Sequence, residues 1–230
     1  MQAEVCPFAG LTRDNLEHYV VRRLRPGGGT RPALLLVEEA GYRGIVKDYA
    51  VCGWLLRRLI GPWLIGREER IYQALAGVDG VPSLLGRLDS QAFVVQHIEG
   101  RACSAYPDGS LPLEFFQRLQ RVVDDIHERG VVHCDLKNRS NIVVTEDLHP
   151  YIVDFASAFS REGRCGLFRR FAFERFRHDD QRAVVKARLL VGRIWNDEDE
   201  HFAFHHGPGE RAIRAVRNAV RRLFKLVVRH

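Results

Sequence analysis

A short stretch near the middle of the chain carries side chains that are typical of phosphate chemistry. The stretch GVVHCDLKNRSNIVV (residues 130–144) contains His133, Asp135, Lys137 and Asn141 between two apolar runs. A carboxylate can act as base for an attacking hydroxyl, a lysine can meet charge developing on a phosphoryl group, and an asparagine oxygen can bind Mg²⁺. The pattern therefore predicts phosphoryl transfer, with Asp135 as base, Lys137 at the γ-phosphate and Asn141 as metal ligand. His133 is interpreted as a structural residue that packs the loop.

Two more parts of the chain supply residues for the same chemistry. Asp154 ends an apolar strand in YIVDFAS, 19 residues after Asp135, where its carboxylate is predicted to chelate the Mg²⁺ that bridges the phosphates. Lys47 is the first lysine of the chain and lies in the apolar segment GIVKDY, so it needs an anion. Glu68 can supply that anion while Lys47 holds the α- and β-phosphates, and the adjacent Glu69 stays open as the alternative partner.

Apolar periodicity predicts the elements that must hold these side chains in place. The predicted elements are hairpins over 32–50 (turn at Gly41) and 84–100 (turn at Asp89-Ser90), helices over 54–75 (divided at Pro62) and 112–129, strands in NIVV and YIVD, and two further helices towards the C-terminus. Residues 16–24 fit a strand or a short helix capped by Asp14, and both alternatives stay open. The order places a sheet-rich first half before a helix-rich second half.

Together these residues resemble the protein-kinase-like superfamily. The stretch at 130–144 matches the catalytic loop H-x-D-x-x-x-x-N, Asp154 and Phe155 match the start of D-F-G, and Lys47 matches the lysine of the third strand. The resemblance covers roughly residues 30–190. It implies a phosphotransferase that uses ATP and Mg²⁺.

The resemblance also implies a fold and an adenine site. The expected fold class is α+β, a bilobal kinase-like fold with a small β-rich N-lobe over residues 1–99 and a mostly helical C-lobe over residues 100–230. Helix C of that fold would carry Glu68. In AFVVQHIEG, backbone groups of Gln96 and Ile98 are expected to meet the edge of the base.

The departures from the superfamily pattern indicate which kinase-like families the chain resembles most. Cys134 stands in place of the catalytic-loop arginine, Ala156 in place of the D-F-G glycine, and neither a G-x-G-x-x-G turn nor an A-P-E motif is present; only PGGGT precedes the first hairpin. The next plausible buried aspartate after Asp154 is Asp180, 26 residues on, which leaves little room for a platform that lays out a peptide. These features resemble the compact bacterial lipopolysaccharide-core kinases, which phosphorylate Kdo or heptose sugars, and next the RIO-type and other small bacterial Ser/Thr kinases.

Three functional hypotheses follow. The leading one is transfer of the γ-phosphate to a sugar hydroxyl of a lipopolysaccharide-core precursor, an anionic glycolipid. The second is a RIO-like protein serine/threonine kinase. The third is a catalytically weak pseudokinase scaffold, favoured by the weak glycine-rich turn. The net charge of +6 indicates an anionic partner, but no recognition motif supports specific nucleic-acid binding.

Composition also bears on location. Five cysteines without a C-x-x-C pair argue against a disulfide framework and a zinc site, and the N-terminus has no signal pattern. We therefore expect a cytoplasmic protein. The roles of two basic segments stay undecided. Residues 166–180 interleave phenylalanine with basic side chains, and residues 209–230 are predicted to form a basic helix with an apolar stripe. That last helix either contacts the cytoplasmic face of the inner membrane or packs on the C-lobe.

Overall fold

The first half of the chain is an antiparallel sheet and the second half is mostly helical, as the order of sequence patterns predicts. The computed structural model describes residues 7–54, 56–161 and 166–204. The α+β class is confirmed, while the lobe boundary at residues 99 and 100 stays a prediction. The tail at 209–230 lies outside the described residues.

Five antiparallel strands form the sheet in the order β1-β2-β3-β5-β4. They are β1 (Val20–Arg25), β2 (Ala33–Glu39), β3 (Tyr42–Asp48), β4 (Leu84–Arg87) and β5 (Ala92–Gln96). The two predicted hairpins are therefore confirmed. Gly41, at the first turn, has a φ of +84°, which a glycine adopts without steric cost.

Residues 16–24, which fitted either a short helix or a strand, form a helical turn followed by a strand. A single helical turn, α1 (Leu16–Tyr19), leads directly into β1. The residue that precedes α1 is Asn15 rather than Asp14, and its Oδ1 accepts a hydrogen bond from the Thr12 N–H at 2.7 Å.

The chain before β1 covers the outer face of the sheet. Phe8, Leu11 and Leu16 are buried there against side chains of β2, β3 and β5, which are Leu35, Val37, Val46, Ala92 and Val94. This covering segment was not predicted, because residues 7–15 show neither helical nor strand periodicity.

The helix after β3 positions one face of the site. A π-helical turn (Leu56–Ile60) runs without interruption into α2 (Gly61–Ala74). Contrary to the prediction, Pro62 therefore does not divide the stretch into two separate helices; the helix only changes type just before it. Pro62 lies in the first turn of α2, where a backbone N–H would make no hydrogen bond within α2, so proline is tolerated there. Glu68 and Tyr72 lie on the buried face of α2.

The second half is built on an amphipathic helix, α3 (Leu113–Glu128), as predicted. Its buried residues include the whole predicted apolar face, Phe115, Phe116, Leu119, Val122, Val123 and Ile126. Short strands and two helices complete this half: β6 (Arg101–Ala102), β7 (Val131–Val132), β8 (Ile142–Val144), β9 (Pro150–Ile152), β10 (Phe159–Ser160), α4 (Gly166–Leu190) and α5 (Asp197–Phe204). The basic segment at 166–180 begins α4, where Phe173 is buried and Phe171 is exposed.

A large hydrophobic cluster joins the two halves. It contains Phe93 from the sheet, Tyr49 directly after β3, Tyr72 from α2, and many side chains of the helical half such as Leu119 and Val184. None of the helices in the described ranges has the length and apolar character that a membrane crossing requires.

Candidate active site

Lys47 on β3 is the centre of the site. Its Nζ donates to both carboxylate oxygens of Glu68, at 2.8 and 2.9 Å, and to Asp154 Oδ1 at 2.9 Å. Lys47 is 7% exposed and Glu68 is 2% exposed, whereas the Asp154 side chain is half-exposed. Glu69 instead pairs with Arg87 at 2.8 Å, so Glu68 is the partner of Lys47.

The charges of this cluster follow from its geometry. Burial alone would lower the pKa of Lys47, but the two carboxylates raise it above its ordinary value, so the amine is protonated at neutral pH. Burial raises the pKa of Glu68. For Asp154, burial acts in the same direction, but the attraction and hydrogen bond of Lys47 outweigh it and lower the pKa below its usual value. Asp154 is therefore an anion whose half-exposed side chain can meet a cation.

The catalytic-loop residues lie beside this cluster. The Asn141 amide is buried, and its Nδ2 donates to the Asp135 carbonyl oxygen at 3.2 Å and lies 3.5 Å from Asp135 Oδ2. Asn141 therefore orients Asp135, which is half-buried. Lys137, two residues further on, is exposed in the turn that follows.

Val153 connects the loop to Asp154. Its N–H donates to the Asn141 carbonyl oxygen at 2.9 Å, and its own carbonyl oxygen lies 3.1 Å from His133 Nε2. Because His133 Nδ1 accepts a hydrogen bond from the Asp135 N–H at 3.3 Å, the ring hydrogen lies on Nε2, which donates to Val153. His133 is fully buried and acts as a structural link, as the sequence suggested.

Asp180 on α4 holds the backbone of the loop at His133 and Cys134. Its Oδ2 accepts from the His133 N–H at 2.6 Å and its Oδ1 from the Cys134 N–H at 3.0 Å, while His127 Nε2 lies 3.3 Å from Oδ2. Cys134 has a φ of +67°, so these two bonds hold a backbone conformation that a non-glycine residue seldom adopts. Burial raises the pKa of the Cys134 thiol, which keeps the thiol neutral. The sequence marked Asp180 as buried but not as the anchor of the loop.

Arg67 was not predicted as a site residue. Its guanidinium donates to the carbonyl oxygen of Ala156 and lies over the Trp63 ring at 5.5 Å from the ring centroid. Arg67 precedes Glu68 on α2, so this helix is tied to the segment after Asp154 by two neighbouring residues. Nothing in the sequence distinguishes Arg67 from the many other arginines, which explains why it was missed.

The glycine-rich turn and the predicted adenine site lie on the same sheet. The turn joins β1 to β2, where Leu34 pairs with Lys47. At Gly27, which has a φ of +77°, a Cβ would lie 2.6 Å from the Ala33 nitrogen, so the turn requires glycine there.

Gln96 ends β5, and its N–H donates to the Ser83 carbonyl oxygen at 2.8 Å; Ile98 follows two residues later and is half-exposed. Their contacts with the base stay predictions.

The donors near Asp154 fit a magnesium ion. Mg²⁺ prefers one or two carboxylates together with phosphate and water oxygens, and the Asp154 carboxylate and the Asn141 amide are donors of this kind, linked through Val153. Among the described residues, no group of three His, Cys, Asp or Glu side chains could enclose a metal by itself.

The comparison with solved structures identifies the fold. No protein-family model matches the chain, and no curated protein matches it. Among solved structures, the Rio2 kinase from Chaetomium thermophilum aligns with a TM-score of 0.59 and 16% sequence identity, over 83% of this chain and 60% of that one. The present chain therefore spans less than two thirds of that kinase. The alignment and the site geometry show that this chain has a bilobal protein-kinase-like fold, with a β-rich N-lobe and a mostly helical C-lobe.

Proposed function

We propose that this chain is a phosphotransferase that uses Mg·ATP to phosphorylate a hydroxyl group. The observation that carries the proposal is the convergence on Lys47 of Glu68 from α2 and Asp154 from the end of β9. A buried lysine held between two carboxylates, with Asp135 and Asn141 next to one of them, is the set of groups that phosphoryl transfer needs.

Each residue has a defined task in the proposed reaction. Asp135 orients the acceptor hydroxyl and takes its proton as the acceptor oxygen bonds to the γ-phosphorus and the bond to the β-phosphate oxygen breaks, which releases ADP. Lys47, fixed by Glu68, holds the α- and β-phosphates. Asn141 and Asp154 would hold Mg²⁺, which would supply positive charge at the phosphate oxygens. Lys137 meets the charge of the γ-phosphate, and backbone groups near the end of β5 bind adenine.

A protein serine or threonine is the acceptor that the comparisons favour. The similar solved structure is described as a kinase of the RIO type, which corresponds to the second of the three sequence hypotheses. The lipopolysaccharide sugar has no support from the comparisons. It remains as a second candidate because only eleven residues separate Asp154 from the start of α4 at Gly166, too few for a broad peptide platform.

The proposal is tested by phosphate transfer from radiolabelled ATP. Purified protein with Mg²⁺ is offered a generic protein substrate and, separately, lipopolysaccharide-core glycolipid. We expect labelled protein, and we expect Asp135→Asn to lower turnover by at least about 100-fold because the base for the hydroxyl is lost. Asp125→Asn, at an exposed position of α3, is the matched control and should leave turnover unchanged.

Two results separate the alternatives. Label in the glycolipid but not in protein would establish the sugar acceptor. Absence of transfer to any acceptor, together with ATP binding that is the same in wild type and Asp135→Asn, would overturn the enzyme proposal in favour of a scaffold.

A further inference from the structure

The three tryptophans of the chain are all largely exposed. The exposed fractions are 66% for Trp54, 59% for Trp63 and 54% for Trp195. Tryptophan is usually well covered in folded proteins, so exposure of this extent marks a candidate contact surface. Two of the three lie in one segment, between β3 and the middle of α2.

The charge of this segment is one-sided. Residues 49–67 contain no aspartate or glutamate, but they contain Arg57, Arg58 and Arg67. Arg57 and Arg58 are exposed, and so is Val51, at 46%. The side chains of Val51, Trp54, Arg57, Arg58 and Trp63 are together called the tryptophan–arginine surface below.

Hydrogen bonds fix the backbone that carries this surface. The Arg57 N–H donates to the Gly53 carbonyl oxygen at 2.9 Å, and the Gly53 N–H donates to the Gly29 carbonyl oxygen at 3.1 Å. The Gln91 side-chain amide donates to the Arg57 carbonyl oxygen at 3.1 Å. The segment around Trp54 is therefore attached to the glycine-rich turn and to Gln91, the residue before β5, and Trp63 lies in α2. Little ordering is needed when the two tryptophans bind.

We propose that the tryptophan–arginine surface docks the protein on an anionic lipid bilayer. Indole rings favour the boundary between lipid headgroups and acyl chains, and arginines next to them are attracted by the negative surface potential of anionic lipids. Residues 49–67 contain no aspartate or glutamate, so this segment itself carries no charge that an anionic membrane would repel. This contact is separate from the one predicted for the tail at 209–230, and it does not depend on phosphotransfer.

Vesicle binding of the full-length protein tests the proposal. The probes are vesicles of phosphatidylcholine alone and of phosphatidylcholine with phosphatidylglycerol, and binding is measured by co-sedimentation and by tryptophan emission in a Trp195→Phe background. We expect binding to the anionic vesicles only, with a blue shift of the emission and weakening as salt is raised. Arg57→Glu/Arg58→Glu should weaken binding by at least about tenfold, and Trp54→Ser should remove most of the blue shift.

A control pair matches the change in charge. Arg118→Glu/Arg121→Glu alters two exposed arginines of α3 and changes the net charge by the same amount. This variant should bind vesicles nearly as well as wild type. Circular dichroism of every variant establishes that the fold is retained.

Several outcomes would overturn the proposal. They are no binding of wild type to anionic vesicles, equal loss in the α3 control, or loss in Arg221→Glu/Arg222→Glu of the tail while Arg57→Glu/Arg58→Glu still binds. A self-associating protein that Trp54→Ser makes monomeric without changing vesicle binding would assign the surface to contact between copies. Asp135→Asn should bind vesicles like wild type, so failure here and failure of the phosphotransferase proposal are distinguishable.

Discussion

The most consequential single side chain is Lys47, because this buried amine pairs with two carboxylates, the buried Glu68 and the half-exposed Asp154. When one member of a buried ion pair is removed, the other charge stays buried without compensation, which costs about 3–5 kcal/mol. We therefore expect Lys47→Met to lower the free energy of unfolding by about that amount, because it leaves the buried Glu68 unpaired. Glu68→Leu should cost less, because Asp154 still accepts a hydrogen bond from Lys47 at 2.9 Å. The double variant should be more stable than the sum of the single losses predicts, because it leaves no uncompensated charge at Glu68.

Urea denaturation of the wild type, the two single variants and the double variant measures the interaction free energy between Lys47 and Glu68. Glu69→Leu is the matched control, since its partner Arg87 is largely exposed and the pair contributes little. Additive losses in the double variant would show that Lys47 and Glu68 do not stabilise each other as the distances imply.

Asp180 offers a second test at the residue scale. Its carboxylate accepts two backbone N–H groups of the catalytic loop, and Asn at this position would keep one acceptor and turn an amide donor towards the other N–H. We expect Asp180→Asn to lower the free energy of unfolding by about 3 kcal/mol and to reduce turnover. Asp179→Asn, which alters an ion pair with Arg175 on the same helix, should change stability by less than about 0.5 kcal/mol. Similar midpoints of denaturation for the two variants would contradict the anchoring role.

Residue spacing explains how much of the site was predictable. The offsets between His133, Asp135 and Asn141 are set by the loop that joins β7 to β8, so they are visible in the sequence. Asp180 and Arg67 act from helices that contact the loop only in the folded chain, and neither has a local pattern that distinguishes it.

At the scale of elements, α2 is joined to the segment after Asp154 by two adjacent residues. Glu68 acts through Lys47, and Arg67 acts through the Ala156 carbonyl oxygen. We expect Arg67→Ala to lower phosphotransfer by about tenfold to 100-fold, since a hydrogen bond to a charged group contributes about 1.5–3 kcal/mol. Arg67→Lys should recover only part of the activity, because lysine keeps the charge but not the planar fork.

Steady-state kinetics with ATP measures this effect. Arg70→Ala removes an exposed arginine of the same helix and should behave like wild type. If Arg67→Ala and Arg70→Ala lose activity equally, the loss results from the lower positive charge of α2 and not from the missing hydrogen bond to Ala156.

The elements themselves were predictable where their periodicity was strong. Alternating residues specified the two hairpins, and the apolar stripe of α3 specified its buried face. The π-helical turn at Leu56–Ile60 was not predictable, because leucine and arginine in this order fit an α-helix equally well. The segment before β1 has no period at all, and its burial depends on the shape of the sheet that it covers.

At the scale of the whole molecule, the core formed by residues 7–54, 56–161 and 166–204 is divided into two hydrophobic clusters. One joins the sheet to the helical half, and the other lies between the sheet and residues 7–19. Phe8→Ala removes a large buried side chain from the second cluster and should cost about 3–5 kcal/mol. In hydrogen-exchange mass spectrometry, β2 and β5 should lose protection while α3 keeps it, because α3 belongs to the other cluster.

Val21→Ala is the control for this experiment. Val21 lies on the neighbouring edge strand β1 and is 59% exposed, so its truncation should leave exchange nearly unchanged. Loss of protection in α3 as well as in the sheet would show that the two clusters unfold as one unit.

The brevity of the chain between Asp154 and α4 has a consequence for how an acceptor is chosen. In the proposed phosphotransfer, so short a segment offers few contacts to an acceptor. We therefore expect discrimination among hydroxyl-bearing molecules to come from surfaces far from the reacting atoms. Substitutions on those distant surfaces should then change KM for the acceptor. They should leave kcat unchanged, because a bound hydroxyl still lies in the same position next to Asp135.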